Sequence, residues 1–309
     1  MIRPPTGLLR IIFPTLLVFL FFIYLGQRES STPIRENQQK PQLEIAIPKT
    51  VHQLLLDMPG HPVSQFKPNS HSISWQQSGW KVEYWSEEAC GILAAELDIF
   101  GFYSQTFQAL PSAVLRSDFC RYLIMFGRGG IYNDLDVHLK KPLPWDVMGP
   151  TITERPSIID MDWESPPSLI VGLEGDAFTS GLARSPQFVQ WTIAASPKHP
   201  ILRQVLDKIA EFTPGFNEQE AQKKIEVNVM DWTGPGVWTD AILQYLNCTE
   251  EELAIVRDLK DPIRIKDVLV LPKRSFAIIQ GDDHSSPDIL VKHYFSGTWK
   301  HRGQGWFGS

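Results

Sequence analysis

The sequence predicts an α/β protein with a mostly parallel sheet, preceded by one membrane-spanning helix. Two observations carry this reading: short strand-like runs alternate with longer stretches of helical period, and a long uncharged apolar run stands near the amino terminus. The 309 residues are 43% hydrophobic, 21% charged and 11% aromatic, which is ordinary globular composition and argues against a disordered or fibrous chain. The net charge of −6 argues against nucleic acid as a partner, because phosphate backbones need clustered Lys and Arg. A small anionic ligand needs local positive charge or a bridging metal ion on so acidic a chain.

Residues 11–25 (IIFPTLLVFLFFIYL) carry no charge, and Leu8 and Leu9 extend the run across Arg10. At helical rise, residues 8–26 span nearly 30 Å, enough for a thin bilayer. Residues 19–25 are apolar on every face, unlike the stripe of a soluble helix. The run is followed by Tyr24-Leu25-Gly26-Gln27-Arg28 instead of a small-residue cleavage site, so a retained anchor is favoured over a cleaved signal. Arg3 and Arg10 precede the span, whereas Arg28 is followed by Glu29, which puts residues 1–7 in the cytosol and the rest in the secretory lumen. Residues 27–42 are polar with Pro33 and Pro41 and read as a flexible stem. One domain is expected over 43–309.

Within that domain, strand-like pieces fall at 45–47, 81–85, 131–132, 168–173, 268–271 and 289–295, and helix-like pieces at 87–100, 112–126, 200–212 and 238–245. Such an order places ligands beyond the carboxyl ends of the strands. Cys90, Cys120 and Cys248 allow at most one internal disulfide, and three buried apolar thiols are an equal reading. Asn247-Cys248-Thr249 is a glycosylation sequon, usable only in the lumen.

The stretch SDFCRYLIMFGRGGIYNDLDV, 117–137, is the most informative. Leu115, Phe119, Tyr122, Leu123 and Phe126 recur at helical spacing and give a buried face. Gly127 suits a left-handed carboxyl cap, and Gly129-Gly130 a tight turn into the strand Ile131-Tyr132. Asp134 and Asp136 come next; two apart in extended chain, they point the same way and can share one hard cation such as Mn²⁺ or Mg²⁺. Acidic pairs at this spacing also arise by chance. This pair is distinguished by the preceding helix with Asp118 and Arg121, the glycine turn and the short strand.

In that order, Ser117-Asp118, Arg121-Tyr122, Gly129-Gly130-Ile131-Tyr132, Asp134 and Asp136 resemble the signature of the family 32 glycosyltransferases with the DXD sugar-binding motif. Ile47-Pro48-Lys49-Thr50-Val51-His52-Gln53 resembles that family's first strand, and Gly79-Trp80 with Tyr84-Trp85 its second. Gly172-Leu173-Glu174-Gly175-Asp176, Gln190-Trp191, Pro197-Lys198-His199-Pro200, Thr233-Gly234-Pro235-Gly236 and His293 to Lys300 are similar to the fungal initiation-specific α-1,6-mannosyltransferases.

The resemblance implies a GT-A-like, Rossmann-like nucleotide-sugar-binding domain. It implies retaining transfer of mannose from GDP-mannose, with Mn²⁺ or Mg²⁺, to a mannose-containing glycan on glycoprotein in the Golgi. Asp134 and Asp136 become metal ligands with His293 completing the shell. Lys300 is placed on the diphosphate, and Asp118 and Arg121 on the donor sugar; apart from the resemblance, the sequon marks Asn247 as the glycan acceptor. Asp118 and Arg121 also suit a surface ion pair, and Tyr132 a core position. His52, Gln53 and Trp85 are either base contacts or a packed aromatic and capping amide. Glu174 and Asp176 are the acceptor-side candidates for the reacting centre. A glycolipid acceptor such as inositol phosphoceramide, or a non-catalytic scaffold role in a Golgi mannosyltransferase complex, are the competing readings.

Overall fold

The computed structural model describes residues 47–55, 63–141, 166–175, 182–213, 229–278, 285–286 and 288–295. The apolar run, the stem, Asp176 and Lys300 lie outside them. Among the described residues no helix is long and apolar enough to cross a membrane.

The chain begins with β1 (Thr50–Leu55), α1 (Ser70–Gln76), β2 (Lys81–Ser86), α2 (Glu87–Leu97), α3 (Phe102–Ala109) and α4 (Ala113–Arg128). The short strands β3 (Gly130–Asn133) and β4 (Val137–Leu139) come next, then β5 (Leu169–Gly175), β6 (Gln187–Phe188) and β7 (Thr192–Ala195). The remainder comprises α5 (Pro200–Phe212), α6 (Val229–Trp232), α7 (Pro235–Leu246), α8 (Glu250–Arg257), β8 (Ile263–Ile265), β9 (Val268–Leu271), α9 (Lys273–Phe276) and β10 (Val291–His293).

The main sheet runs β2-β1-β3-β7-β5-β9-β8, with β6 on β5. β1, β2, β3, β5 and β9 point one way, while β6, β7 and β8 run against them, so the sheet is mixed but mostly parallel. Side chains two apart along a strand share a face, which splits the core in two. Tyr132, Leu169, Val171, Val268 and Val270 join α2, α4, α5 and α7 on one face. Ile131, Ile170, Leu269 and Leu271 join Trp75, Trp191 and Phe276 on the other.

Local chemistry sets the helix ends. The Ser86 and Ser112 side chains accept amide hydrogens at the starts of α2 and α4, and Thr249 with Glu252 closes a capping box on α8. Asp98 stops α2 at Leu97, short of the expected residue 100, because its carboxylate takes the amides of Phe100 and Tyr103 at 3.0 and 2.6 Å. The cap of α4 is Gly129 at φ +65°, not Gly127, which stays helical. Gly130 at φ +93° admits no side chain, since a Cβ there would strike the carbonyl oxygen of Thr50.

The first strand begins at Thr50, beyond Pro48, and Ile47 is outside it; residues 45–46 lie outside the described residues. The expected strand at 289–295 is reduced to Val291–His293, with Phe295 turned to φ +48°. α1, α3, α6, α8, α9, β4, β6, β7 and β8 are additions to the sequence reading. Cys90 of α2 bonds to Cys120 of α4 within the core, and Cys248 is free.

Candidate active site

The carboxyl end of β3 feeds directly into Asp134. Two backbone hydrogen bonds fix the turn beyond it: the Asp134 amide donates to the Trp191 carbonyl at 3.0 Å, and the Val137 amide donates to the Asp134 carbonyl at 3.0 Å. β4 then pairs antiparallel with β10, setting His293 opposite Val137. His293 Nε2 lies 3.1 Å from Asp136 Oδ1 although 157 positions separate them. Asp134, Asp136 and His293 each offer one ligand atom, and these atoms all lie within 4.8 Å of one another.

A second layer orients this group. The Tyr132 hydroxyl donates to Asp134 Oδ1 at 2.8 Å, and Arg121 Nη2 stands 3.7 Å from the same oxygen. The Arg121 guanidinium also sits 5.0 Å over the Tyr132 ring, donates through Nη1 to the Gln190 carbonyl at 3.1 Å, and pairs with Asp118 Oδ1 at 2.9 Å. Thr233 donates to the other Asp118 oxygen at 3.0 Å. Asp118 and Arg121 are therefore not a surface pair: each is only 6% exposed. One turn apart on α4, they face the carboxyl end of β3 together.

Burial pushes the Asp118 carboxyl up to about 6, against the pull of Arg121 and Thr233. Burial alone would lower the Arg121 pKa, but Tyr132, Asp134 and Asp118 around it reverse this and hold the cation firmly charged. Tyr132 is itself raised well above the usual phenol range, mainly by burial, so it remains a donor.

Two carboxylates and an imidazole form a donor set that suits Mn²⁺ or Mg²⁺ with an intermediate ligand. His293 offers one ring nitrogen towards Asp136, and its buried Nδ1 has no hydrogen-bond partner. The Trp191 ring packs against the imidazole, centroids 4.6 Å apart, and its indole N–H donates to the Phe276 carbonyl at 3.0 Å. The residues present fit a divalent cation.

Glu174 ends β5, accepts from Gln187 Nε2 at 2.6 Å, and is raised in pKa chiefly by burial. His52 and Trp85 bond to each other. The Trp85 indole donates to His52 Nδ1 at 3.0 Å, which fixes the tautomer so that Nε2–H donates to the Gly129 carbonyl at 2.9 Å. The two side chains lock the glycine turn at the amino end of β3. Gln53 is buried and donates to Asn133 Oδ1 at 2.6 Å, next to Asp134 in the chain. Asn247 is exposed at the left-handed cap of α7, and the sequon's Thr249 caps α8.

Sequence reasoning gave no role to Trp191, Thr233 or Gln190. Gln190 Nε2 donates to the Tyr122 hydroxyl at 2.7 Å and the Thr233 carbonyl at 2.9 Å, tying α4 to the turn before α7. The only signal for these three was their appearance in recognisable short motifs.

Residues 64–156 match the family model described as a glycosyltransferase sugar-binding region containing a DXD motif. Asp134-Leu135-Asp136 is the DXD run at the site. Over that stretch the chain is similar to a glycosyltransferase sugar-binding region.

The chain is 36% identical over 211 residues to the initiation-specific α-1,6-mannosyltransferase of Schizosaccharomyces pombe, covering 64% of this chain and 50% of that one. It is 32% identical over 252 residues to the protein of the same name from Candida albicans, covering 70% and 62%. It is 25% identical over 268 residues to inositol phosphoceramide mannosyltransferase 1 of Schizosaccharomyces pombe, covering 85% and 70%. The chain thus spans half to under two thirds of the length of the two α-1,6-mannosyltransferases.

Proposed function

We propose that the chain is a metal-dependent, retaining mannosyltransferase. In this reading it moves mannose from GDP-mannose in α-1,6 linkage onto a mannose of a glycoprotein N-glycan, held by its apolar run in the Golgi membrane with the domain lumenal. The observation that carries the catalytic part is the convergence of Asp134, Asp136 and His293 at the carboxyl end of β3, with both aspartates inside the DXD region. The names of the two α-1,6-mannosyltransferases support the sugar and linkage. The Cys90–Cys120 bond suits an oxidising lumen.

Asp134, Asp136 and His293 would hold a divalent cation. That ion, when bound, neutralises charge that builds on the nucleoside diphosphate as the sugar bond breaks. Tyr132 and Arg121 fix one oxygen of Asp134. Asp118, held by Thr233 and Arg121, presents a buried acceptor group for donor-sugar hydroxyls. Glu174, at the end of β5, supplies an acid of raised pKa on the acceptor side. Orienting donor and acceptor together supplies much of the rate gain.

The test is GDP release. Full-length protein with Mn²⁺, GDP-mannose and a mannoside should release GDP, and Asp134→Ala should abolish release. Equal turnover by the variant, or turnover that survives EDTA, would overturn the assignment. A glycolipid acceptor is favoured by one observation, the 85% coverage by the inositol phosphoceramide relative. Offering mannoside and inositol phosphoceramide in parallel separates the two acceptors.

A further inference from the structure

We infer that the loop between α2 and α3 is a lipid-facing tip, through which the domain rests on the bilayer with its amino-end face while the catalytic end points into the lumen. Ile99, Phe100 and Phe102 fall almost consecutively at this tip and are 89%, 75% and 61% exposed. Three large apolar side chains in four positions are unlike the scattered surface residues that need no explanation. The tip is held in place: Asp98 caps the Phe100 and Tyr103 amides, and Gly101 takes φ +79°.

Its place in the fold decides the partner. α4 ends at Arg128, immediately before β3, and Gly130 of β3 lies against the carbonyl of Thr50, the first residue of β1. The end of α2 meets the end of α4, since Arg128 makes two hydrogen bonds to Glu96 and Gly127 packs against Leu97. The tip therefore stands at the amino ends of the parallel strands. That is the end where the chain enters the domain, and it is opposite the Asp134 cluster.

The chain arriving there consists of residues 1–46, with the apolar run at 8–26 and twenty residues after it. An anchor at residues 8–26 is thus joined to the domain through this face, which favours this face as the one turned towards the bilayer. Lys49, Lys81, Arg128 and Lys198 are exposed at the same end, Arg128 paired with Glu96, Lys81 with Glu83, and Lys198 with its amide on the Phe126 carbonyl at 2.8 Å. An aromatic and aliphatic tip flanked by charged groups of both signs is the chemistry of a contact with a zwitterionic membrane interface. Placed so, the catalytic end is presented to acceptors in the lumen.

The inference rests on the reading of residues 8–26 as an anchor, and the experiment separates the two. Full-length protein carrying Cys248→Ser is labelled with an environment-sensitive dye at Phe100→Cys or, as a control, at Ser70→Cys. Ser70 is exposed beside Asn69, whose side chain donates to the Leu135 carbonyl at the catalytic end. The protein is reconstituted in phosphatidylcholine vesicles containing lipid with a spin-labelled head group. Flotation with the vesicles, with blue-shifted and quenched emission at position 100 but not at 70, is the expected result. Flotation with no shift or quenching at 100 overturns the docking and leaves the anchor standing. Failure to float overturns both. Shielding of position 100 without vesicles also overturns it, meaning a second copy if it depends on concentration and the chain itself if it does not. As a further arm, Ile99→Asp with Phe100→Asp should keep turnover of a soluble mannoside and abolish protection of a label at position 102 by the vesicles; retained protection would contradict the inference.

Discussion

The Trp191 indole ring lies 4.6 Å from the His293 imidazole at an interplanar angle of 34°, while the Trp191 carbonyl holds the Asp134 amide at 3.0 Å. One residue on the approach to β7 thus sets two of the three candidate ligands. Replacing it with Leu keeps the backbone bond and removes the ring. Residues that orient metal ligands typically change affinity by about 10- to 100-fold when altered. Trp191→Leu is expected to raise the Mn²⁺ concentration for half-maximal GDP release by about tenfold, and also to lower stability through the lost buried ring and its hydrogen bond to Phe276, so release is compared at a temperature where both proteins are folded.

Arg121 and Asp118 form a buried pair in which each leaves the other costly to strand. Arg121→Ala removes the cation from Asp118 and Asp134 together, and a stranded buried charge costs about 3–5 kcal/mol. Thr233→Val removes one hydrogen bond from Asp118 and is expected to cost about 1 kcal/mol. Urea denaturation should rank the two variants in that order.

Burial lowers the His52 pKa from 6.5 to about 4, against the opposing pull of Glu83 and the Gly129 carbonyl. A histidine depressed in the folded state binds its proton first in the unfolded chain. Its contribution is therefore full above pH 6.5 and is lost as pH falls towards 4. His52→Gln is expected to be less stable than the parent at neutral pH, with the difference shrinking by about 3 kcal/mol as pH drops through that window. Denaturation midpoints of both proteins between pH 4 and 7 give the slope.

Gly130→Ala forces φ +93° on a residue with a Cβ and drives that atom into the Thr50 carbonyl and the His52 ring. Such a position costs about 1–3 kcal/mol in backbone strain alone. The variant should unfold at lower urea and lose activity, since the turn feeds β3 and Asp134. Gly127→Ala, in a regular helix, should cost less.

The stretch 117–137 made the heart of the site legible because helix, turn, strand and carboxylates succeed one another locally. Asp118, Arg121, Asp134 and Asp136 were all visible there, and His293 through its motif. Trp191 and Thr233 were not, because their roles depend on partners far off in the chain: Thr233 meets Asp118 across 115 positions. β4 and β7 are three and four residues long, too short for periodicity to register. α8 carried a legible signal, Thr249 with Glu252 three residues later before an apolar stretch. His52 and Trp85 were recognisable as a pair, but their direction towards Gly129 depends on sheet register, which local sequence does not encode.

The central claim is that Asp134, Asp136 and His293 hold one divalent cation for a nucleoside diphosphate. Calorimetric titration of the full-length protein with Mn²⁺ in the presence of GDP tests it most directly. One saturable site is expected in the parent, lost in Asp134→Ala and Asp136→Ala and weakened in His293→Ala. Unchanged Mn²⁺ binding in the two aspartate variants would contradict the account.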